Sequence, residues 1–218
     1  TKNDEQRTSK QINILYVIWS LGLGGAEQVV INLAKNLDKQ KFNPIVCCLN
    51  DKGVFAEELE KEGIEVIPLA KKHKFDISVI KSLINIIKQY KIDIVHTHLW
   101  GANFWGRIAA KLAGVKVIIA TEHNIDVWKT KLHLFLDKLL SFITDKIVVV
   151  SNKVGEFYTQ KAHIAKNKIR VIYNGIDIDR FNRDINSGQK RESLGIGNNE
   201  KVIAIIGRLV PQKGHKYF

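Results

Sequence analysis

Ile12-Asn13-Ile14-Leu15-Tyr16-Val17-Ile18-Trp19 runs, through Ser20 and Leu21, into Gly22-Leu23-Gly24-Gly25-Ala26-Glu27. The apolar run breaks at glycines and resumes as Ala26, Val29, Val30, Leu33, Ala34 and Leu37, spaced for one helix face. That order reads as strand, turn and amphipathic helix. In a parallel sheet such a turn lies at the carboxyl edge, where ligands bind. Glycines let backbone N–H groups approach an anion, and the helix N-terminus adds positive potential. A dinucleotide fingerprint would need a third glycine where Glu27 stands, and Asp51 is a weak match for its ribose-binding acid. The bland alternative is a tight turn that holds no ligand.

The same unit recurs along the chain. Strand-like runs cover residues 44–49, 65–69, 92–98, 116–121, 146–151, 169–173 and 201–207. Continuous runs such as Ile147-Val148-Val149-Val150 imply burial on both faces, hence a parallel sheet covered by helices. Amphipathic helices fall between them, one through Ile77, Ile80, Leu83, Ile84, Ile87 and Tyr90. Another carries Leu132, Phe135, Leu136, Leu139, Leu140 and Ile143, with Leu134 and Phe142 outside that stripe. So apolar a helix is expected to be buried, a membrane-facing one being the alternative. The fold class is α/β: a doubly wound, mainly parallel Rossmann-like sheet with helices on both faces. Residues 1–11 read as a disordered polar tail and 12–173 as the Rossmann-like domain. Residues 174–200, opened by the Asn174-Gly175 turn, read as a connection, and 201–218 as the start of a second α/β unit.

Composition narrows the partners. The chain has 218 residues, 45% hydrophobic, and a net charge of +12. A nucleic-acid surface, an anionic membrane surface or an anionic substrate would suit that charge. The lysines are scattered, however, and no nucleic-acid recognition motif is visible, so most read as solvated helix faces and nucleic acid is not expected as a partner. No apolar run approaches the roughly 20 residues of a membrane span. Cys47 and Cys48 are adjacent in a strand, should face opposite ways, and suit neither a disulfide nor a metal site; the expected location is cytoplasmic.

Candidate chemistry gathers at strand ends. His96 and His98 share a strand face, and His123 ends the next strand at the same edge. A metal reading lacks a third ligand at convincing spacing, whereas acid–base or hydrogen-bonding roles stay open. Trp100, Trp105 and Trp128 follow these strand ends as packing, an acceptor platform or an interfacial anchor. Farther on, Arg208 and Lys213 stand on a short loop after Gly207. Such a pair suits a diphosphate leaving group, or is an ordinary basic surface loop.

Four pieces in order resemble the GT-B glycosyltransferases, specifically the large retaining family 4 (glycosyl transferases group 1). They are Gly24-Gly25-Ala26-Glu27, Thr121-Glu122-His123-Asn124, the segment Val171-Ile172-Tyr173-Asn174-Gly175-Ile176-Asp177, and Gly207-Arg208 with Lys213-Gly214. The resemblance implies an N-terminal acceptor-side domain followed by the start of a nucleotide-sugar-binding domain. It implies that Gly24, Gly25, Arg208 and Lys213 bind the donor diphosphate and that His123 acts at the reacting centre. His98, Trp100, Glu122 and Asn124 become candidate acceptor contacts. No metal and no cofactor is implied beyond the nucleoside-diphosphate sugar. The reaction implied is hexosyl transfer, with retention, to a hydroxyl of a lipid-linked or cell-surface glycan. The setting implied is cytoplasmic, peripheral on the inner membrane face. The family's paired-glutamate motif would lie beyond Phe218, in a further roughly 150 residues, so the chain alone is expected to be inactive. A nucleotide-sugar 2-epimerase of the same fold and a non-enzymatic module binding anionic membranes are the alternatives; a dehydrogenase is disfavoured by Glu27.

Overall fold

The computed structural model describes residues 10–71, 76–176, 178, 187–197 and 199–218. The chain divides into two units between Gly175 and Ile176. In the first, seven strands form one sheet in the order β3-β2-β1-β4-β5-β6-β7. They are β1 (Ile12–Ile18), β2 (Phe42–Cys48), β3 (Glu65–Pro68), β4 (Ile94–His98), β5 (Val117–Glu122), β6 (Lys146–Val149) and β7 (Ile169–Val171). Every pairing is parallel. The doubly wound expectation holds.

Both faces are covered because the strands are apolar on both sides. Ile14, Tyr16 and Ile18 of β1 join the core under α1 (Gly25–Asn36) and α2 (Ala56–Lys61). Leu15 and Val17 point into the opposite core, under α3 (Ser78–Gln89) and α4 (Trp100–Leu112). Cys47 and Cys48 divide between these cores as strand alternation requires, and burial pushes the Cys48 thiol up to about 12. Each fully buried Leu or Ile contributes roughly 1.5–3 kcal/mol. A smaller core lies between β6 and α6 (Asn152–Gln160). Gly106 of α4 sits so close to Thr97 and Val17 that a Cβ there would collide with the threonine methyl.

Helix α5 (Lys131–Phe142) overturns the burial expectation. Leu132, Phe135, Leu139 and Phe142 are exposed, while Asp137, Leu140 and Ser141 are buried. The helix turns Asp137 and Ser141 inward because an internal ion network takes Asp137. Among the described residues no helix is long and apolar enough to cross a membrane.

In the second unit the short helix α7 spans Ser187–Ser193. Residues 201–207, expected as a strand, carry no strand pairing, and Ile203 and Ile206 are exposed. A strand needs a neighbouring ladder for its N–H and C=O groups, and the described residues of this unit contain no other strand. Asp177 lies outside the described residues.

Candidate functional site

β1 lies between β2 and β4. The chain leaves β1 toward β2 and returns at β4, so the two connections diverge and open a crevice at the carboxyl edge. On one side of that crevice the glycine loop enters α1. Gly24 is the N-cap, with extended backbone and no side-chain cap. The first N–H groups of α1 therefore lack intrahelical partners. Glu27 stands in the first turn, its carboxylate occupying the space a Cβ on Gly24 would need, whereas nothing crowds Gly25. Gly53, with φ +74°, braces this loop: any side chain there would collide with the Leu21–Gly22 backbone. Leu21 N–H also donates to Lys52 C=O at 3.1 Å, and Phe55 N–H to Leu21 C=O at 3.0 Å.

The other side is the β4–α4 turn. Leu99, between His98 and Trp100, has φ 69° and ψ 153°, a region nearly reserved for glycine. Holding a leucine there costs on the order of 1–3 kcal/mol, and such strain concentrates at functional turns. Gly101 leaves room for the Trp19 ring, whose Cε3 would lie 3.5 Å from an added Cβ.

The three histidines come together as the strand register requires. His98 pairs with Thr121 and His96 with Ile119 across β4 and β5. The rings of His96 and His98 are 4.2 Å apart, with Tyr16 of β1 5.5 Å from His96. His96 Nε2 meets Thr121 Oγ1 at 2.7 Å, and His98 Nδ1 meets His123 Nε2 at 3.1 Å. His98 Nε2 is buried and has no hydrogen-bond partner among the described residues. A buried N–H without an acceptor is the costlier orphan, so we place the His98 proton on Nδ1, donating to His123 Nε2. His123, neutral, then carries its proton on Nδ1, a donor with no protein partner among the described residues.

Glu122 is not at the surface where an acceptor contact was expected. It is 3% exposed, and its carboxylate accepts from Asn103 Nδ2 at 2.9 Å and Tyr158 OH at 2.8 Å. Lys129 Nζ lies 3.5 Å from Glu122, 2.8 Å from Asp137 and 2.7 Å from Tyr158 OH. Arg107 reaches Asp137 at 3.4 Å and donates through Nε to Asn103 C=O at 2.6 Å. Asn103 closes the network by accepting from Thr97 Oγ1 at 2.7 Å. Burial raises Asp137 above the usual carboxylate range, Lys129 and Arg107 opposing it. This network lies directly behind His123 and fixes the end of β5.

Outside the histidines stands an aromatic wall. Trp100 stacks on Phe104 at 5.6 Å and meets Trp128 and His133 edge-on at 5.8 and 4.8 Å. His133 Nδ1 accepts from the Thr130 N–H at 3.2 Å, which anchors the start of α5 to this wall. Trp105 belongs to the core, whereas Trp128 is half exposed. Asn124 is exposed beside His123.

The sequence model of Glycosyltransferase Family 4 matches residues 23–180. The chain belongs to glycosyltransferase family 4. It is 30% identical, over 97% of its length, to the UDP-Gal:alpha-D-GlcNAc-diphosphoundecaprenol alpha-1,3-galactosyltransferase of Escherichia coli, of which it covers 57%. It is 24% identical over 96% of its length to the putative glycosyltransferase EpsF of Bacillus subtilis, again covering 57%. The Anabaena protein HepE, solved with UDP and glucose, shares the fold: TM-score 0.79 and 22% identity, covering 94% of this chain and 56% of HepE. The shared architecture is that of a GT-B N-terminal domain. The chain thus spans a little over half the length of these relatives.

In this family 4 chain the second unit carries the two cations expected to bind diphosphate. Arg208 and Lys213 are both exposed. The Lys213 stem lies along Gly207, 3.5 Å from where a Cβ would stand, and a 3-10 turn (Pro211–Lys213) ends at Gly214 with φ 71°. His215 Nε2 donates to Arg208 C=O at 2.8 Å, holding the loop closed. Among the described residues no group of His, Cys, Asp or Glu is arranged as a metal cluster.

Neutral buried histidines make this family 4 domain acid-sensitive. Burial pushes His96 down to about 3 and His98 well below its ordinary value. It pushes His123 down to about 4, the Glu122 charge opposing. In the unfolded chain histidine titrates near ~6.5. Stability is therefore fully present above that value and lost as pH falls from it toward the folded values, by up to about 1.4 kcal/mol per pH unit for each histidine. Asp126 and Asp137, raised by burial, protonate first in the folded state and offset part of the loss at the acid end. Tm should fall between pH 7 and pH 5, and less steeply for His96→Gln; a flat profile would refute neutral burial.

Proposed function

We propose that the whole protein transfers a hexosyl unit from a UDP-sugar to a hydroxyl of a lipid-linked or cell-surface glycan at the cytoplasmic membrane face. This chain supplies its acceptor-side half. The observation that carries the reading is the His98–His123 pair at the carboxyl edge, beside the glycine loop, in a chain of this family. The Escherichia coli relative, named for UDP-galactose and a GlcNAc-diphosphoundecaprenol acceptor, supports the substrate classes. HepE, solved with UDP and glucose, supports a UDP-sugar donor.

In this reading the anomeric C–O bond to the diphosphate breaks and the acceptor oxygen bonds the same face of the sugar, retaining its configuration. The hydroxyl proton leaves with the diphosphate. His123 Nδ1–H donates to a hydroxyl oxygen of the sugar or acceptor and holds it through the transition state. Gly24 and Gly25 let the α1 N-terminus approach the diphosphate. Arg208 and Lys213 offset the charge on the departing diphosphate, so no metal is required. Trp100 and Asn124 line the acceptor side, with His98 behind them positioning His123. Residues 12–173 act as the acceptor domain, 174–200 as the connection and 201–218 as the start of the donor domain.

Proton NMR of product made by the whole protein in EDTA tests this mechanism. An α-linked product from an α-linked UDP-sugar, formed at an unchanged rate, is expected. Inversion, or loss of transfer on chelation, would overturn the retaining, metal-free mechanism.

A further inference from the structure

We propose that the outer face of α5, with Trp128 before it, is the surface on which the protein docks to an anionic lipid bilayer. Leu132, Phe135, Leu139 and Phe142 are 63%, 56%, 46% and 71% exposed. Their spacing places them on one stripe. Soluble helices bury such a stripe; here Asp137, Leu140 and Ser141 face inward, and these four large apolar residues are left outside. A contiguous apolar face of this kind marks an interaction site.

The charge around the stripe identifies what covers it. Lys131 and Lys138 flank it on the same helix, and Asp137, the acidic residue of α5, is buried in the ion network. The charge that α5 shows to solvent is therefore cationic, in a chain of net charge +12. Leu and Phe bordered by Lys, with a Trp at one end, is the composition of a helix lying in the headgroup region. The stripe runs about 15 Å along the helix, away from the carboxyl edge. Its starting end contacts the aromatic wall through His133 and Trp128. A bilayer on this face would put the head of a lipid-linked acceptor within reach of Trp100 and His123.

The inference rests on the lipid-acceptor reading for its purpose, but vesicle binding is measured without sugar transfer, so either can fail alone. The test is co-sedimentation of the chain with phosphatidylglycerol–phosphatidylcholine vesicles and with phosphatidylcholine alone. Wild type should bind the anionic vesicles, and Phe135→Ser with Phe142→Ser should lower binding by roughly tenfold or more. Lys131→Glu and Lys138→Glu should each lower it by about fivefold or more, an effect that fades in high salt. All four positions lie on the outer side of α5, so thermal melts should match wild type. Equal binding by the phenylalanine variant would overturn the proposal. So would a wild type that ignores vesicles, including one that elutes as a dimer which the phenylalanine variant dissolves, since a second copy would then be the occupant.

Discussion

Lys129→Met should lower the unfolding free energy by about 3–5 kcal/mol, a large part of the roughly 5–15 kcal/mol a domain possesses. Methionine fills a similar volume, so the loss is electrostatic. Lys129 is fully buried and serves Asp137, Glu122 and Tyr158 together. Without it Glu122 keeps only neutral donors, and Asp137 keeps Arg107 at 3.4 Å. Two carboxylates would then share a dry interior with one guanidinium. Burial already raises Asp137, so the variant should recover part of its loss at acid pH, where that group is protonated. Urea titration at neutral and acid pH reads both effects. A loss below about 1 kcal/mol, the range of surface pairs, would show that water reaches the network.

His123→Ala in the whole protein should reduce kcat by roughly 10²–10³-fold, the usual cost of one preorganised transition-state donor, with little change in the donor KM. His98 acts through His123. His98→Leu removes the Nδ1–H that fixes the His123 tautomer and should lower kcat without changing KM. His98→Asn places an amide N–H near the lost Nδ1 and should restore much of the rate. A merely space-filling role predicts the reverse order, since leucine replaces the ring's bulk in a buried site better than an amide does. Equal kcat for His123→Ala and wild type would remove His123 from the reacting centre.

Much of this was legible in the sequence for identifiable reasons. Unbroken Val/Ile runs announce a two-sided parallel sheet, and strand alternation alone puts His96 and His98 on one face. The glycine loop declares itself by composition, three glycines between an apolar run and a helical stripe, and not by torsion, since Gly24 is extended. Hidden features depend on partners distant in the chain. Thr97, Asn103, Arg107, Glu122, Lys129, Asp137 and Tyr158 come from several elements, and charged residues so scattered read as solvent-facing. The α5 reading fails for the same reason: periodicity finds an apolar stripe but not which side faces the core, and the ion network decides that. Leu99 and Gly53 are silent because their significance lies in backbone torsion and close approach. Residues 201–206 have a strand's composition, but composition supplies no neighbouring strand.

The most direct test of the central claim follows the sugar. Whole protein would be incubated with a radiolabelled UDP-hexose, with and without GlcNAc-diphosphoundecaprenol in vesicles, and lipid and nucleotide fractions separated. Label moving into the lipid fraction only when acceptor is present, and staying in the nucleotide for His123→Ala, is the expected result. Label that never leaves the nucleotide, or that is epimerised there without acceptor, would contradict a glycosyl transferase acting on a lipid-linked glycan.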